Sequence, residues 1–180
     1  MKFSTQRLVY VSLLIALSIV FTRFLSLRIA LGGVEGIRIG LGGLPIVFAG
    51  IAFGPLAGGI VGALSDLIGF FISPMGAYMP HFTATSFLTG FLPGLFVCYL
   101  FSGRKGFKNL LIAIGVTQIL TAIILVPYFQ NTLFGVPLVA TVPSAVISQA
   151  GMIPLYAYLS VMLLGYDLVK IPEKCKPARG

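Results

Sequence analysis

Between Arg38 and Arg104 the chain carries a single charged side chain, Asp66. A stretch that long and that poor in charge cannot coat a surface facing water, because a soluble domain keeps about a quarter of its residues charged. The whole chain of 180 residues is 9% charged and 58% hydrophobic, with a mean hydropathy of +1.06. Most of its surface therefore faces lipid, and the chain reads as one integral membrane domain.

A helix needs about 20 apolar residues to cross the bilayer. Leu8 to Leu25, Phe82 to Phe101, Leu110 to Phe129 and Thr141 to Leu164 meet that requirement. The third is expected to kink or end near Pro127, and the last has Pro143 at its start and Pro154 inside. The first run follows Lys2 and Arg7 as in a signal peptide, but no cleavage pattern follows it, so it is read as a retained span. The stretch from Ile37 to Ile72 crosses either once or twice, and charge decides between the two. With the N-terminus inside, a single crossing would put "RKGFK" and the basic tail outside, against the positive-inside bias. Two crossings place every strong basic cluster in the cytoplasm, and "FGPLAGG" supplies the break through its Gly-Pro turn signal. The expected fold is an all-α integral membrane protein of about six short transmembrane helices with both termini cytoplasmic. Residues 1–170 form the single membrane domain and 171–180 a basic cytoplasmic tail. Three loops then lie outside, Ser26–Arg38, Ser73–His81 and Gln130–Pro137.

The net charge of +8 does not point to nucleic acid, because the basic residues flank apolar runs instead of forming one basic face with groups that read bases. Cys98, in an apolar run, and Cys175, in the tail, read as two separate thiols with no framework. Arg23, Arg28 and Arg38 sit at or near the outer side, against the charge bias. They serve either headgroup contact and pairing with Glu35, or attraction of an anionic ligand.

Gly54, Gly58 and Gly62 share one helical face, a spacing that lets helix backbones approach closely in lipid. Ser12, Ala16 and Val20 make a similar stripe on the first span, and either stripe suits a partner membrane subunit. Asp66 is costly inside a membrane unless it is paired, protonated or facing a wet cavity. It either pairs with Arg23 or Arg38 as a structural bridge, or accepts two N–H bonds from an amidine-like ligand edge. Most serines and threonines in the runs are expected to bond their own helix backbone, whereas Gln118 and Gln149 want partners. Tyr78, His81 and Phe82 mark the outer mouth. One histidine and sparse carboxylates argue against a metal cluster. There is no phosphate-binding glycine loop, metalloprotease motif or nucleophile elbow, so neither an ATP motor nor an enzyme is indicated.

The pieces "LPIVFAG", "FGPLAGGIVGALSDLIG", "PMGAYMP" into "FTATSFLTG", "NTLFGVP" and "MIPLYAYL" carry a resemblance in their order and spacing. The chain resembles the S components of energy-coupling factor (ECF) transporters, and within them looks most like the folate family. That resemblance implies a six-helix subunit of the prokaryotic plasma membrane, surrounded by lipid, that binds one vitamin from outside. It implies partners, namely a transmembrane coupling subunit and two ATPase subunits that hydrolyse ATP, with no cofactor on this chain. It also implies that Ser12, Ala16 and Val20 contact the coupling subunit and that the outer loops close over the ligand. The expected ligand is folate or a related pteridine. Its ring would lie against Phe71, Tyr78 or Phe82. Its polar edge would meet Asp66, Thr83 or Gln149, and an anionic tail Arg23 or Arg38, with His81 and Asn131 at the mouth. A different vitamin or precursor, or a stand-alone carrier or channel, is the alternative.

Overall fold

Gly54 adopts φ 98°, a conformation that costs glycine little and other residues much. This residue divides the ambiguous stretch into two helices. In the computed structural model, which describes residues 5–24, 26–31, 34–72, 78–101 and 106–165, α2 runs Gly43–Phe53 and α3 runs Pro55–Ile72. Pro55 opens α3, where a missing N–H costs nothing. The hairpin read from charge and the Gly-Pro break is the observed one.

Around it stand α1 (Thr5–Arg23), α4 (Pro80–Leu95), α5 (Phe107–Gln118), α6 (Val126–Phe134) and α7 (Leu138–Gly165). A π-helical stretch, Phe96–Leu100, extends α4, and another, Ile119–Leu125, joins α5 to α6 without a break. Among the described residues the seven helices thus make six rods. Five are long and apolar enough to cross a membrane. The sixth, α2, spans only about 16 Å at 1.5 Å per residue, but every residue from Leu44 to Phe53 is buried. It contributes Ile46, Phe48 and Phe53 to a core with Val11, Leu14 and Val61. From its other side Leu44, Val47 and Ile51 pack with Val97, Leu110, Ile114 and Ala157. The central rod is therefore the one shielded from lipid.

Arg7 donates from its guanidinium to the carbonyl of Phe53, satisfying an orphan acceptor at the C-terminal end of α2. Tyr10 stacks on the Phe53 ring at 6.0 Å, and Leu163 and Leu164 of α7 pack on the same cluster. The first and last described helices therefore reach the end of the bundle where the Gly54 turn lies, as an even number of crossings requires.

Several expectations are corrected. The first outer loop is an antiparallel hairpin, β1 (Ser26–Leu31) with β2 (Val34–Gly40), with Ser26 opposite Gly40 and Arg28 opposite Arg38. Alternating residues such as "IRI" favour a strand period of two, which a search for long apolar runs overlooks. Of the two expectations at Pro127, an end is excluded: the rod continues to Phe134, so most of Gln130–Pro137 is helix. Its π-helical stretch lies just before Pro127, where local widening of the helix accommodates a residue with no N–H. α7 begins at Leu138, which puts Pro143 inside it. Cys98 is disulfide-bonded and not a separate thiol. The tail at 171–180 and the loop at 73–77 lie outside the described residues.

Two of the three aligned glycines pack as expected, and Gly54, with open space around it, serves the turn. A Cβ on Gly58 would strike the carbonyl oxygen of Gly90 and the backbone of Gly50, and one on Gly62 would strike the carbonyl oxygen of Ser86. These obstacles are backbone atoms, which cannot rotate aside. Gly58→Ala is expected to cost about 1–3 kcal/mol as overpacking and to lower the melting temperature in detergent. Gly151→Ala, where an added Cβ would meet no neighbouring group within 4 Å, is expected to leave it unchanged or raised, because alanine favours helix. Thermal melts of the two variants check the opposite signs.

Candidate binding site

The polar side chains of the bundle separate into two groups by their bonds. Ser65, Thr85, Thr89, Thr117, Thr121, Ser144 and Ser148 each donate to a carbonyl three or four residues earlier in their own helix. Such bonds satisfy the hydroxyl and need no ligand. Among the described residues, the hydroxyls of Ser18, Tyr156 and Thr83 reach outside their own helix. Ser18 donates to the Gly42 carbonyl at 2.9 Å, Tyr156 to the Gly40 carbonyl at 2.7 Å, and Thr83 to Asp66 Oδ2 at 2.8 Å. The acceptors of all three, on Gly42, Gly40 and Asp66, lie at one place.

That place is a cavity of about 220 Å³. Each of the six rods contributes to its wall: Ser18, Thr22 and Arg23 from α1, Ile46 from α2, and Ser65 and Asp66 from α3. Ser86 and Thr89 come from α4, Gln118 from α5, and Gln149 and Tyr156 from α7. The remaining wall is backbone, Gly40 to Gly43 without Leu41, where the chain passes from β2 into α2. A Cβ on Gly42 would collide with the Thr22 hydroxyl, so at this position a side chain larger than glycine's would push α1 and the segment apart. Its carbonyls at 40 and 42 are the ones that Tyr156 and Ser18 satisfy, as backbone buried in a membrane protein must be.

Asp66 and Arg23 face the cavity from neighbouring helices. The Arg23 guanidinium lies against Gly69, where a Cβ would come within 3.3 Å of Nε and Nη2. Gly69 is three residues beyond Asp66, about 4.5 Å farther along α3. The cavity thus holds an acidic and a basic group roughly one helical turn apart. Thr83 supports the first of them and is bonded in turn to the Tyr78 hydroxyl at 3.0 Å.

Of the residues singled out in the sequence, Arg23, Asp66, Gln118 and Gln149 line the cavity, and Thr83 and Tyr78 back Asp66. The others lie apart from its wall. Phe71 is 76% exposed. His81, at the start of α4, rests its ring 5.0 Å from that of Phe129, and Phe82 is half-buried beside it. Asn131 donates from Nδ2 to the Val136 carbonyl at 2.9 Å, tying the turn in which Gly135 takes φ 67°. The side chain of Arg38 lies outside what is described. Ser18, Thr22, Ser65 and Tyr156 were missed. The usable signal was position: Ser18 and Thr22 share a helical face that ends beside Arg23, and Ser65 adjoins the one intramembrane carboxylate.

Comparison with known proteins follows the same lines. Residues 2–161 match the family model described as ECF-type riboflavin transporter, S component. The folate transporter FolT of Clostridium novyi (strain NT) is 35% identical over 150 residues, which cover 83% of each chain. The crystal structure of FolT bound with folic acid aligns with a TM-score of 0.76 at 26% identity, over 95% of this chain and 98% of that one. The S component of a bacterial ECF transporter aligns at TM-score 0.67 and 23% identity, over 91% of this chain and 98% of that one. The S-component for biotin from an ECF-type ABC transporter aligns at 0.61 and 21%, over 91% and 93%. These last two share the fold. With six rods around a polar cavity and a family match over most of its length, the chain belongs to the S components of ECF transporters, multi-pass membrane proteins of substrate capture.

Proposed function

We propose that this S component captures folate or a related pteridine and delivers it with ECF partner subunits. The observation that carries the reading is the cavity in which a hydrogen-bonded carboxylate and a guanidinium stand about one turn apart, in a chain 35% identical to a folate transporter. A pteridine has a polar edge that donates N–H bonds, suited to Asp66, and folate has an anionic tail, suited to Arg23. The cavity, at about 220 Å³, is smaller than the 300 Å³ or more common for drug-sized ligands. It fits the ring system, with the tail running toward Arg23 and the mouth. A second reading, riboflavin, is favoured by the description of the matching family model.

The energy for uptake comes from ATPase subunits working through a coupling subunit, and this chain holds no cofactor in the reading. Ser12, Ala16 and Val20 lie on exposed surface of α1, away from its buried side at Val11, Leu14 and Ser18. Such a small-residue face suits close docking of a coupling helix.

The chain has no Trp, so the ligand's own fluorescence can be followed as detergent-purified protein is added. Tight one-to-one quenching of folate is the expected result, and tighter binding of riboflavin would replace the folate reading with the second one. Arg23→Gln is expected to weaken folate binding about tenfold or more, the scale of one charge-assisted hydrogen bond. It is expected to affect a pteridine without a glutamate tail far less. Ala16→Phe should preserve folate binding in detergent while abolishing uptake in cells that express the partner subunits. Unimpaired uptake would remove α1 from the docking surface.

A further inference from the structure

We infer that Tyr78 and Thr83 set the hydrogen-bond sense of the cavity, so that it selects a heterocycle offering two adjacent N–H donors over one offering a single N–H between two carbonyls. The inference rests on the reading of this chain as a pteridine-binding S component and names what decides between its two candidate ligand classes.

A threonine hydroxyl has one proton to give and lone pairs to receive with. The Thr83 proton goes to Asp66 Oδ2 at 2.8 Å. The Tyr78 hydroxyl lies 3.0 Å from the same Thr83 oxygen, so in that pair Tyr78 is the donor. The chain Tyr78 to Thr83 to Asp66 therefore has one direction, with every proton pointing toward the carboxylate. Among the described residues Thr83 is the one hydrogen-bond partner of Asp66. Oδ1 and the second lone pair of Oδ2 remain, and both only accept. Gln149 Oε1, on the same cavity, is buried without a partner among the described residues and adds a further acceptor.

A 2-amino-4-oxo pyrimidine ring presents a ring N–H beside an exocyclic amino group, two donors spaced to meet both oxygens of one carboxylate, as a guanidinium does. The pyrimidine edge of a flavin presents one N–H flanked by two carbonyl oxygens. Placed against Asp66, it satisfies one acceptor and sets a carbonyl oxygen against a carboxylate oxygen. Sites that hydrogen-bond a ligand group discriminate strongly against analogues that cannot answer them. Tyr78 and Thr83 act here as positioning residues, holding the carboxylate and leaving no donor of their own for the ligand.

The test is the ratio of dissociation constants for riboflavin and folate, both read by ligand fluorescence in detergent. Wild-type protein is expected to favour folate at least about a hundredfold. Asp66→Asn, which offers one acceptor and one donor, should weaken folate at least about tenfold and shift the ratio toward riboflavin. Thr83→Val should shift it the same way by a smaller factor and Tyr78→Phe by less again, with Thr83→Ser restoring the wild-type ratio. A merely structural role would lower both affinities together and leave the ratio fixed. An unmoved ratio in both Asp66→Asn and Thr83→Val, in protein that melts as a folded species, overturns the inference and leaves the folate reading standing. Wild-type protein that binds neither ligand overturns the folate reading itself, and this inference with it.

Discussion

Backbone-to-backbone contact among α2, α3 and α4 is the constraint on which the rest of the bundle depends. In lipid, apolar side chains gain little by leaving their surroundings, so helices associate through close packing and hydrogen bonds. Gly50, Gly58, Gly62, Gly90 and Gly94 remove the side chains that would keep three axes apart, and each stands where a Cβ would meet a carbonyl oxygen of a neighbouring helix. The seam holds α2 at the centre, and the two apolar clusters build outward from its opposite sides.

The same seam brings the chemistry together. α3 and α4 run antiparallel, so the pairing of Gly58 with Gly90 leads, one turn outward, to that of Gly62 with Ser86. One turn farther the next residues to face each other are Asp66 and Thr83, in hydrogen-bond contact at 2.8 Å. The carboxylate is placed by a ladder of small residues. A looser helix pair would carry Thr83 out of reach of Asp66 and leave an intramembrane charge without its partner, a costly arrangement.

The rods were largely legible because length and absence of charge are properties of a single segment. The turn at Gly54 was legible because Gly-Pro is a local signal, and the direction of charge settled how often the stretch crosses. Asp66 and Arg23 stood out as charges where charge is expensive. Ser18, Ser65 and Tyr156 did not, because serine and tyrosine are ordinary in membrane helices and acquire meaning only from what lies opposite. Ser18 and Tyr156 matter through the carbonyls of Gly42 and Gly40, and no pattern along the sequence couples residues 116 positions apart. The β-hairpin was hidden because its strands are short and follow a different period from the search that found the rods.

The shortness of α2 has a consequence for the size of the ligand space. A helix of about 16 Å covers roughly half of a 30 Å hydrocarbon core, and it begins at Gly43, on the cavity wall. The missing half-helix is the room in which the cavity lies, floored by Ile46 in the first turn of α2 and edged by the glycine segment that replaces the absent turns. The first residue of α2 thus acts as a depth stop. On a frame otherwise fixed by its glycine seam, each turn added to the start of that helix would shorten the cavity by about 5.4 Å, and each turn removed would deepen it.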